Sequence, residues 1–578
     1  MNKNFLLIVP PNITYENFIN PGQNSKTWKH NSGGNYGVLI TDVPLGVLTI
    51  SAVLKQNAWN VQVIDFNVEV HKTWQPGKTP NFRAWFSNVL GDLRNSGFQP
   101  DMIGFSSLFT SGYKNLLDLA VISRDVFGDV FKICGGNVAT TMYREIFNDA
   151  PDVFDALCFG EGEIALAKLI NSDDFKSHCD ESNSWITKSN LFADEVTIYK
   201  HNFIDDLDEI PYLDYSAVDL LDYHFNPTIK AYTGITDKTN YFTFMGSRGC
   251  PFLCTFCSAH AVHGRKMRSF SIPRIEKELT SLKEQFGSST LVIEDDMFLW
   301  NSQWAIAVLK IAQKLGLNCF FPNALALYAL DRPMLEELHR TGVRQLTLAV
   351  ESGSGRVLKE LMKKPLKLSI TKRVANDCRD LGIYTDCNII LGMPGETKED
   401  ISDTREFLKT LGANWYRINV AMPLAGSEMY ITAQKNGFIT GDIRNAGYKQ
   451  CVINTPTLRA AEVEEIAYEL NLELNFLNNT DLILEQYESA IKVFKNVLSV
   501  RSDHALAMYM ISLIYFKTGD LHNSKVFKEW ALSHISKSEF WLKYFGQKAL
   551  LFRDGSELFF DFETHKTQQL AIRSEMRC

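Results

Sequence analysis

The sequence predicts an α/β protein made of two successive β/α modules followed by an α-helical tail. Three observations carry this. Short strand-like runs at Phe5 to Val9, Asn60 to Asp65, Met102 to Ser106 and Phe131 to Cys134 alternate with helix-compatible sequence, the rhythm of a parallel, doubly wound sheet. A second series of six runs begins at Tyr241 to Phe244 and predicts a partial (β/α)6, TIM-like barrel. From about residue 440 strand signals fade and amphipathic helices take over.

Length and charge narrow the function. At 578 residues the chain has room for three or four domains. Fifty-nine basic residues against 67 acidic ones give a net charge of -8, without long runs of either sign. No electrostatic footprint for a polyanion exists, so nucleic acid is excluded as the main partner and a small-molecule or peptide substrate is expected. The apolar run Phe5 to Val9 is too short for a signal peptide, and the stretch Pro44 to Leu54 is too short to cross a bilayer. A cytoplasmic protein without membrane partners is expected. Eleven scattered cysteines suit reduced thiols and metal or catalytic use better than a disulfide frame.

In the first module, Phe5 to Val9 runs into Pro10-Pro11, and a helix is expected over Pro44 to Lys55 after a long loop. Ligands of such sheets lie beyond the carboxyl ends of the strands. Three small-residue turns fall there: Ser106-Ser107-Leu108, Gly135-Gly136 and Gly160-Glu161-Gly162-Glu163. A Gly-Gly pair alone is ordinarily a tight turn. Together the loops resemble the nucleotide-tail loops of cobalamin-binding domains, in the form found ahead of radical enzymes. That resemblance implies a Rossmann-like domain over residues 1–175 with cobalamin contacts at Ser106, Leu108, Gly135, Gly136, Gly160 and Glu161. The Asp-x-His-x-x-Gly loop that supplies a cobalt ligand in other cobalamin proteins is missing, since residues 10–43 contain only His30. His30 and His71 read as ordinary polar loop residues. Asp222-Tyr-His-Phe-Asn-Pro227 imitates the motif but ends in Pro and lies after the module.

Residues 176–238 are polar and turn-rich, with Asp205-Asp-Leu-Asp-Glu-Ile-Pro211 reading as a strap between modules. The second module, 239–438, opens on the most specific motif in the chain, Gly246-Ser-Arg-Gly-Cys250-Pro-Phe-Leu-Cys254-Thr-Phe-Cys257. Thiolates so spaced favour zinc or an iron–sulfur cluster. Zinc would want a fourth ligand, and His260 is in reach along the chain; three ligands instead leave one iron of a [4Fe-4S] cluster open. The loop resembles the signature of radical S-adenosylmethionine enzymes, with Phe256 before the last cysteine. That resemblance implies Cys250, Cys254 and Cys257 as cluster ligands. It also implies S-adenosylmethionine contacts at Phe256, at Glu294 or Asp295 of Glu294-Asp-Asp296, at Glu351-Ser352, and at Asn388 and Gly392 of Asn388-Ile-Ile-Leu-Gly-Met-Pro-Gly-Glu396. Helix caps and turns would be the plain account of these polar strand ends. Their order after the cysteine loop favours the site.

The chemistry implied is chelation of S-adenosylmethionine at the open iron, reductive cleavage to a 5'-deoxyadenosyl radical, and methyl transfer from methylcobalamin to an unactivated carbon. An electron donor such as flavodoxin or ferredoxin is implied with it. Cobalamin-assisted cyclisation, rearrangement or oxidation without methyl transfer is the second reading, and a non-catalytic metal- or cobalamin-binding regulator the third. No substrate-acting side chain stands out. The tail, 439–578, carries Ala490-Ile-Lys-Val-Phe494 and Ala505 to Asp520, spaced like a tetratricopeptide-type hairpin. One such unit cannot bury its own faces, so it is expected to pack on the barrel as a cap over the active site. Cys134, Cys158, Cys179, Cys319, Cys378, Cys387, Cys451 and Cys578 lack motif spacing and read as buried thiols.

Overall fold

The computed structural model describes residues 3–22, 25–31, 33–193, 198–225 and 241–548. The first module is a six-stranded sheet whose strands are β1 (Asn4–Val9), β2 (Asn60–Asp65), β3 (Met102–Ser106), β4 (Phe131–Gly135), β5 (Ala156–Cys158) and β6 (Trp185–Ile186), in spatial order β2-β1-β3-β4-β5-β6. All pairs are parallel except β5 with β6. Both faces of β1 are buried, as the unbroken apolar run requires. Leu6 and Ile8 pack with Phe66, Trp85 and Leu116 on one side, and Phe5 and Leu7 with Val47, Leu54 and Leu166 on the other. The strand order reverses at β1, where β2 and β3 flank it, and the loops after β1 and β3 open the crevice where such sheets bind ligands.

β6 lies within the stretch that reads as a polar connector, and two residues with no alternation carried no strand signal. The expected helix forms at Leu45–Gln56, with its buried face on the sheet. A small hairpin, Thr27–Lys29 against Asn35–Gly37, occupies the long first loop. His30 and His71 belong to its aromatic cluster: the Trp28 ring centroid is 5.2 Å from His30 and 4.6 Å from His71. Residues 226–240, including the end of the imitation motif at Pro227, lie outside the described residues, as does Cys578.

The second module has the six expected strands, β7 (Tyr241–Phe244), β8 (Thr290–Ile293), β9 (Asn318–Phe320), β10 (Gln345–Glu351), β11 (Tyr384–Leu391) and β12 (Trp415–Val420). They form two parallel three-stranded sheets, β9-β8-β7 and β10-β11-β12, joined by a parallel bridge between Leu325 and Leu348. The intervening helices are capped locally. Ser271 accepts from Arg274 N at the start of Ile272–Phe286, and Thr397 with Asp400 forms a capping box on Lys398–Leu411. Odd residues of β10 and even residues of β11 face away from the helix-packed core formed by Leu346, Leu348, Cys387, Ile389 and Leu391. The barrel interior is therefore polar on this side, with Thr347, Asp386, Asn388, Arg417 and Asn419.

The tail is helical over Ala460–Leu472, Tyr487–Val500, Ala505–Lys517, Leu521–Ile535 and Glu539–Gln547. Its core includes Trp415, with Tyr384 packed against it, and these are the first residues of β12 and β11. The tail thus closes the amino-terminal end of the barrel, opposite the cysteine loop. This corrects the expected cap over the active site: hydrophobic spacing sets that a hairpin packs, but not against which end. Among the described residues no helix is long and apolar enough to cross a membrane.

Candidate cofactor-binding site

The cysteine loop leaves β7 and is held from both sides. Asp295, just beyond β8, accepts hydrogen bonds from Gly246 N at 2.9 Å and Ser247 Oγ at 2.5 Å. Cys250 N donates to Gly264 O at 3.2 Å, and Thr255 N and Oγ1 donate to Met362 O and Leu361 O at 3.1 and 2.6 Å. Gly249 has φ +99°, and a Cβ there would stand 2.3 Å from Lys266 O, so glycine is required. Phe256 is half-buried against the barrel core.

Cys250, Cys254 and Cys257 are free and half-buried, whereas the seven other described cysteines are free and buried. Burial pushes the Cys257 thiol up to about 11, with the charges of Asp296 and Cys250 adding to it. Such a thiol needs a metal to ionise it at neutral pH. Among the described residues no group of three or more His, Cys, Asp or Glu side chains is already gathered around a point that could hold a single metal ion. Three thiols on one short loop suit instead the separate corners of an iron–sulfur cluster.

Several candidate S-adenosylmethionine contacts lie on the barrel strands or just beyond their carboxyl ends, the end at which the cysteine loop leaves β7. Glu294 is half-buried; burial and the charges of Asp42, Asp295 and Asp296 push its carboxyl well above the usual range. Asp42 comes from the first module, so the two modules meet here. Glu351 ends β10 with φ 65°, a left-handed conformation uncommon outside glycine, and its Oε1 lies 3.3 Å from Lys364 Nζ. Both groups act electrostatically on Cys254. Asn388 is half-buried on the interior face of β11. Gly392 has φ +88°, and Glu396 clamps its turn by accepting from Gly392 N and Met393 N at 2.5 and 3.0 Å.

Three expected contacts are turned inward. Asp295 is 4% exposed and anchors the cysteine loop, while its neighbour Asp296 acts on Cys250 and Cys257. Ser352 is fully buried, its Oγ 3.1 Å from Thr404 Oγ1 and from Ser354 N, which fastens the strand end to the helix at Lys398–Leu411. Glu161 is the hub of an ion network between modules. Arg268 Nη2 and Nη1 donate to its two oxygens at 2.7 and 2.9 Å, His263 Nδ1 lies at 3.0 Å, and Arg248 Nη1 at 3.4 Å. Arg248 Nη2 also donates to Glu163 at 2.7 Å. Burial pushes the Glu161 carboxyl up, but these partners prevail and hold it at about 2. Asp42 and the Arg248–His263–Arg268 set were not singled out from sequence, because their partners are distant in the chain, as Glu161 is from His263 and Arg268, 102 and 107 residues away.

At the crevice of the first sheet, Ser106 pairs in register with Gly135, and Ser107 N donates to Gly135 O at 3.1 Å. A Cβ on Gly136, at φ +92°, would meet Ser107 O at 2.6 Å; one on Gly135 would meet only Cys158 Cβ, at 3.9 Å. The Gly135 side therefore has free space, beside Leu108, which is 62% exposed. Open space and an exposed leucine suit a large, partly apolar ligand. Gly160, at φ +84°, lets His201 approach.

Comparison with known proteins follows the same division. Residues 42–170 match the B12 binding domain model and residues 245–408 the radical SAM superfamily model. The chain is 27% identical over 465 residues to cytidylyl-2-hydroxyethylphosphonate methyltransferase of Streptomyces wedmorensis, covering 75% of this chain and 86% of that one. Among solved structures, the cobalamin-dependent S-adenosylmethionine radical enzyme OxsB with aqua-cobalamin aligns with a TM-score of 0.59 at 17% identity, over 100% of this chain and 80% of that one. The radical S-adenosylmethionine methyltransferase TsrM of Kitasatospora setae, with tryptophan substrate and a cofactor analogue, aligns with a TM-score of 0.54 at 15% identity, over 76% and 77%.

Proposed function

We propose that this chain, a radical S-adenosylmethionine enzyme carrying its own cobalamin-binding domain, methylates an unactivated carbon of a small molecule or peptide. The observation that carries the proposal is the meeting of the two ligand ends. Glu161, Glu163 and Asp42, beyond strands of the first sheet, face Arg248, Arg268 and Glu294 at the mouth of the barrel. A methyl donor in the first module and a radical generator in the second would then act on one substrate between them. The similarity to two proteins named as methyltransferases points the same way.

When bound, the cluster with S-adenosylmethionine supplies a hydrogen-abstracting radical, and cobalamin supplies the methyl group. The chain's own residues hold and shield them. Cys250, Cys254 and Cys257 ligate the cluster; Glu294, Asp296, Glu351, Asn388, Gly392 and Phe256 line the S-adenosylmethionine site; Ser106, Leu108, Gly135 and Gly136 admit the cobalamin tail. Glu161 fixes the distance between modules. A flavodoxin or ferredoxin in the cytoplasm serves as electron donor.

The test is turnover of candidate substrates with methyl-labelled S-adenosylmethionine. Label in the product, with one S-adenosylhomocysteine and one 5'-deoxyadenosine formed per turnover, is expected. A product formed without label would replace methylation by cyclisation or rearrangement, and absence of any S-adenosylmethionine cleavage would leave the regulator.

A further inference from the structure

The connector places two aromatic rings between the cobalamin crevice and the cysteine loop. His201 stacks on Phe203, with ring centroids 4.7 Å apart and planes within 8° of parallel. Phe159, the residue after β5, has its ring 4.7 Å from His201, and the guanidinium carbon of Arg268 lies 4.7 Å from the Phe203 ring. Both connector rings rest on glycines. A Cβ on Gly160 would stand 2.2 Å from His201 Nδ1, and one on Gly264 would stand 2.7 Å from Phe203 Cζ. Each ring therefore bears directly on backbone, with no side chain between.

The two glycines belong to the two cofactor loops. Gly160 lies in the turn after β5, at the cobalamin crevice. Gly264 lies in the turn that supports the cysteine loop: Cys250 N donates to Gly264 O at 3.2 Å, and Ser247-Arg248 pairs antiparallel with Arg268-Ser269. Arg268 ties this turn to the connector and to the first module at once. Its Nη1 donates to Ile204 O and to Glu161 Oε2, each at 2.9 Å, and its Nη2 to His263 O at 2.9 Å. Ile204 is buried in a small cluster with Leu207 and Ile210, against which Ile164 of the first module and Phe270 of the barrel pack. Groups packed this closely pass a displacement on rather than absorb it.

We infer that His201 and Phe203 are positioning residues that couple the cysteine loop to the cobalamin crevice, so that a chain holding its cluster binds cobalamin more tightly. This rests on the reading of the two loops as cofactor sites. A cluster that fixes Cys250 fixes Gly264 through the hydrogen bond to its carbonyl, and Phe203, His201 and Gly160 are held in turn. The crevice is then ordered before cobalamin arrives, and less of the ordering cost falls on binding. A ring moves as one rigid plane, whereas an aliphatic side chain can change rotamer and break the relay. Linkage makes the effect reciprocal: bound cobalamin stabilises the cluster-loaded state by the same factor.

The test is equilibrium dialysis of hydroxocobalamin against the full chain, without oxygen and without turnover, before and after reconstitution of the cluster. Several-fold tighter binding to the cluster-loaded parent is expected. In Phe203→Leu and in His201→Leu the two affinities should converge, and the double variant should lose no more than either single one, because one break interrupts the relay. Phe192→Leu, at an exposed ring of the first module, should keep the parent's ratio. Iron content equal to the parent's reports that a variant is folded, and a residue that only holds the fold together would lower both affinities without changing their ratio. Equal affinity of the parent in the two states, or a parent-like ratio in both leucine variants, overturns the coupling and leaves the proposed reaction untouched. Product without label from a chain that shows the coupling would replace the reaction and leave the coupling standing.

Discussion

Replacing Glu161 by Gln removes the charge at the centre of the contact between modules. Glu161 and Arg268 have side chains only 2% exposed and share two hydrogen bonds. A carboxyl held at about 2 against an ordinary 4.5 contributes roughly 3 kcal/mol at neutral pH. Leaving the buried Arg268 without its carboxylate leads independently to about 3–5 kcal/mol. The sign with pH follows from the depressed value: the contribution is complete above 4.5 and is lost as the pH falls towards about 2. Urea unfolding of the reconstituted chain, followed by corrinoid release because a multidomain chain need not unfold in one step, should show the first transition weakened by roughly 3 kcal/mol in Glu161→Gln at pH 7. Arg268→Met should cost a similar amount, and the double variant clearly less than the sum. A loss below about 1 kcal/mol for Glu161→Gln, or strict additivity, would refute the hub, since those are the marks of an exposed and independent pair.

Cys250→Ala, Cys254→Ala and Cys257→Ala should each abolish the iron–sulfur absorbance and all 5'-deoxyadenosine formation, and cleavage retained by any of them would reject the ligand set. Gly135→Leu should weaken cobalamin binding at least tenfold while the protein stays folded, whereas Gly136→Ala should lower stability because its Cβ meets backbone at 2.6 Å; binding titrations and thermal unfolding separate the two. Glu396→Ala should cost about 2–4 kcal/mol by stranding two buried N–H groups, and Glu396→Gln much less. Burial raises the Glu396 carboxyl to about 7, so the folded state favours its protonated form and Glu396→Gln should gain on the parent as the pH rises through 7; an unchanged difference between pH 6 and 8 would contradict this.

Much of the fold was legible because the central strand of the first sheet is buried on two faces and the barrel strands bury one face against their helices, which prints each as a short run rich in apolar residues. β2 and β3 occupy the expected residues, and all six barrel strands appear in order. The short β5 and the edge strand β6 left no periodic trace. The cysteine loop was legible because its ligands are close in the chain. Glu161 was read as a cofactor contact because nothing in local spacing reveals a partner at Arg268, 107 residues away. Asp295 and Asp296 illustrate a finer limit, since neighbouring residues at a strand end face opposite ways and a run of acids does not say which faces the ligand.

The central claim is that one chain holds both cofactors, a radical-generating cluster and cobalamin. Anaerobic reconstitution followed by measurement of iron, sulfide and corrinoid on the same sample tests it most directly. About four iron, four sulfide and one cobalamin per chain is the expected result, as a [4Fe-4S] cluster on a cysteine triad requires. Zinc in place of iron, with no corrinoid retained, would contradict the account.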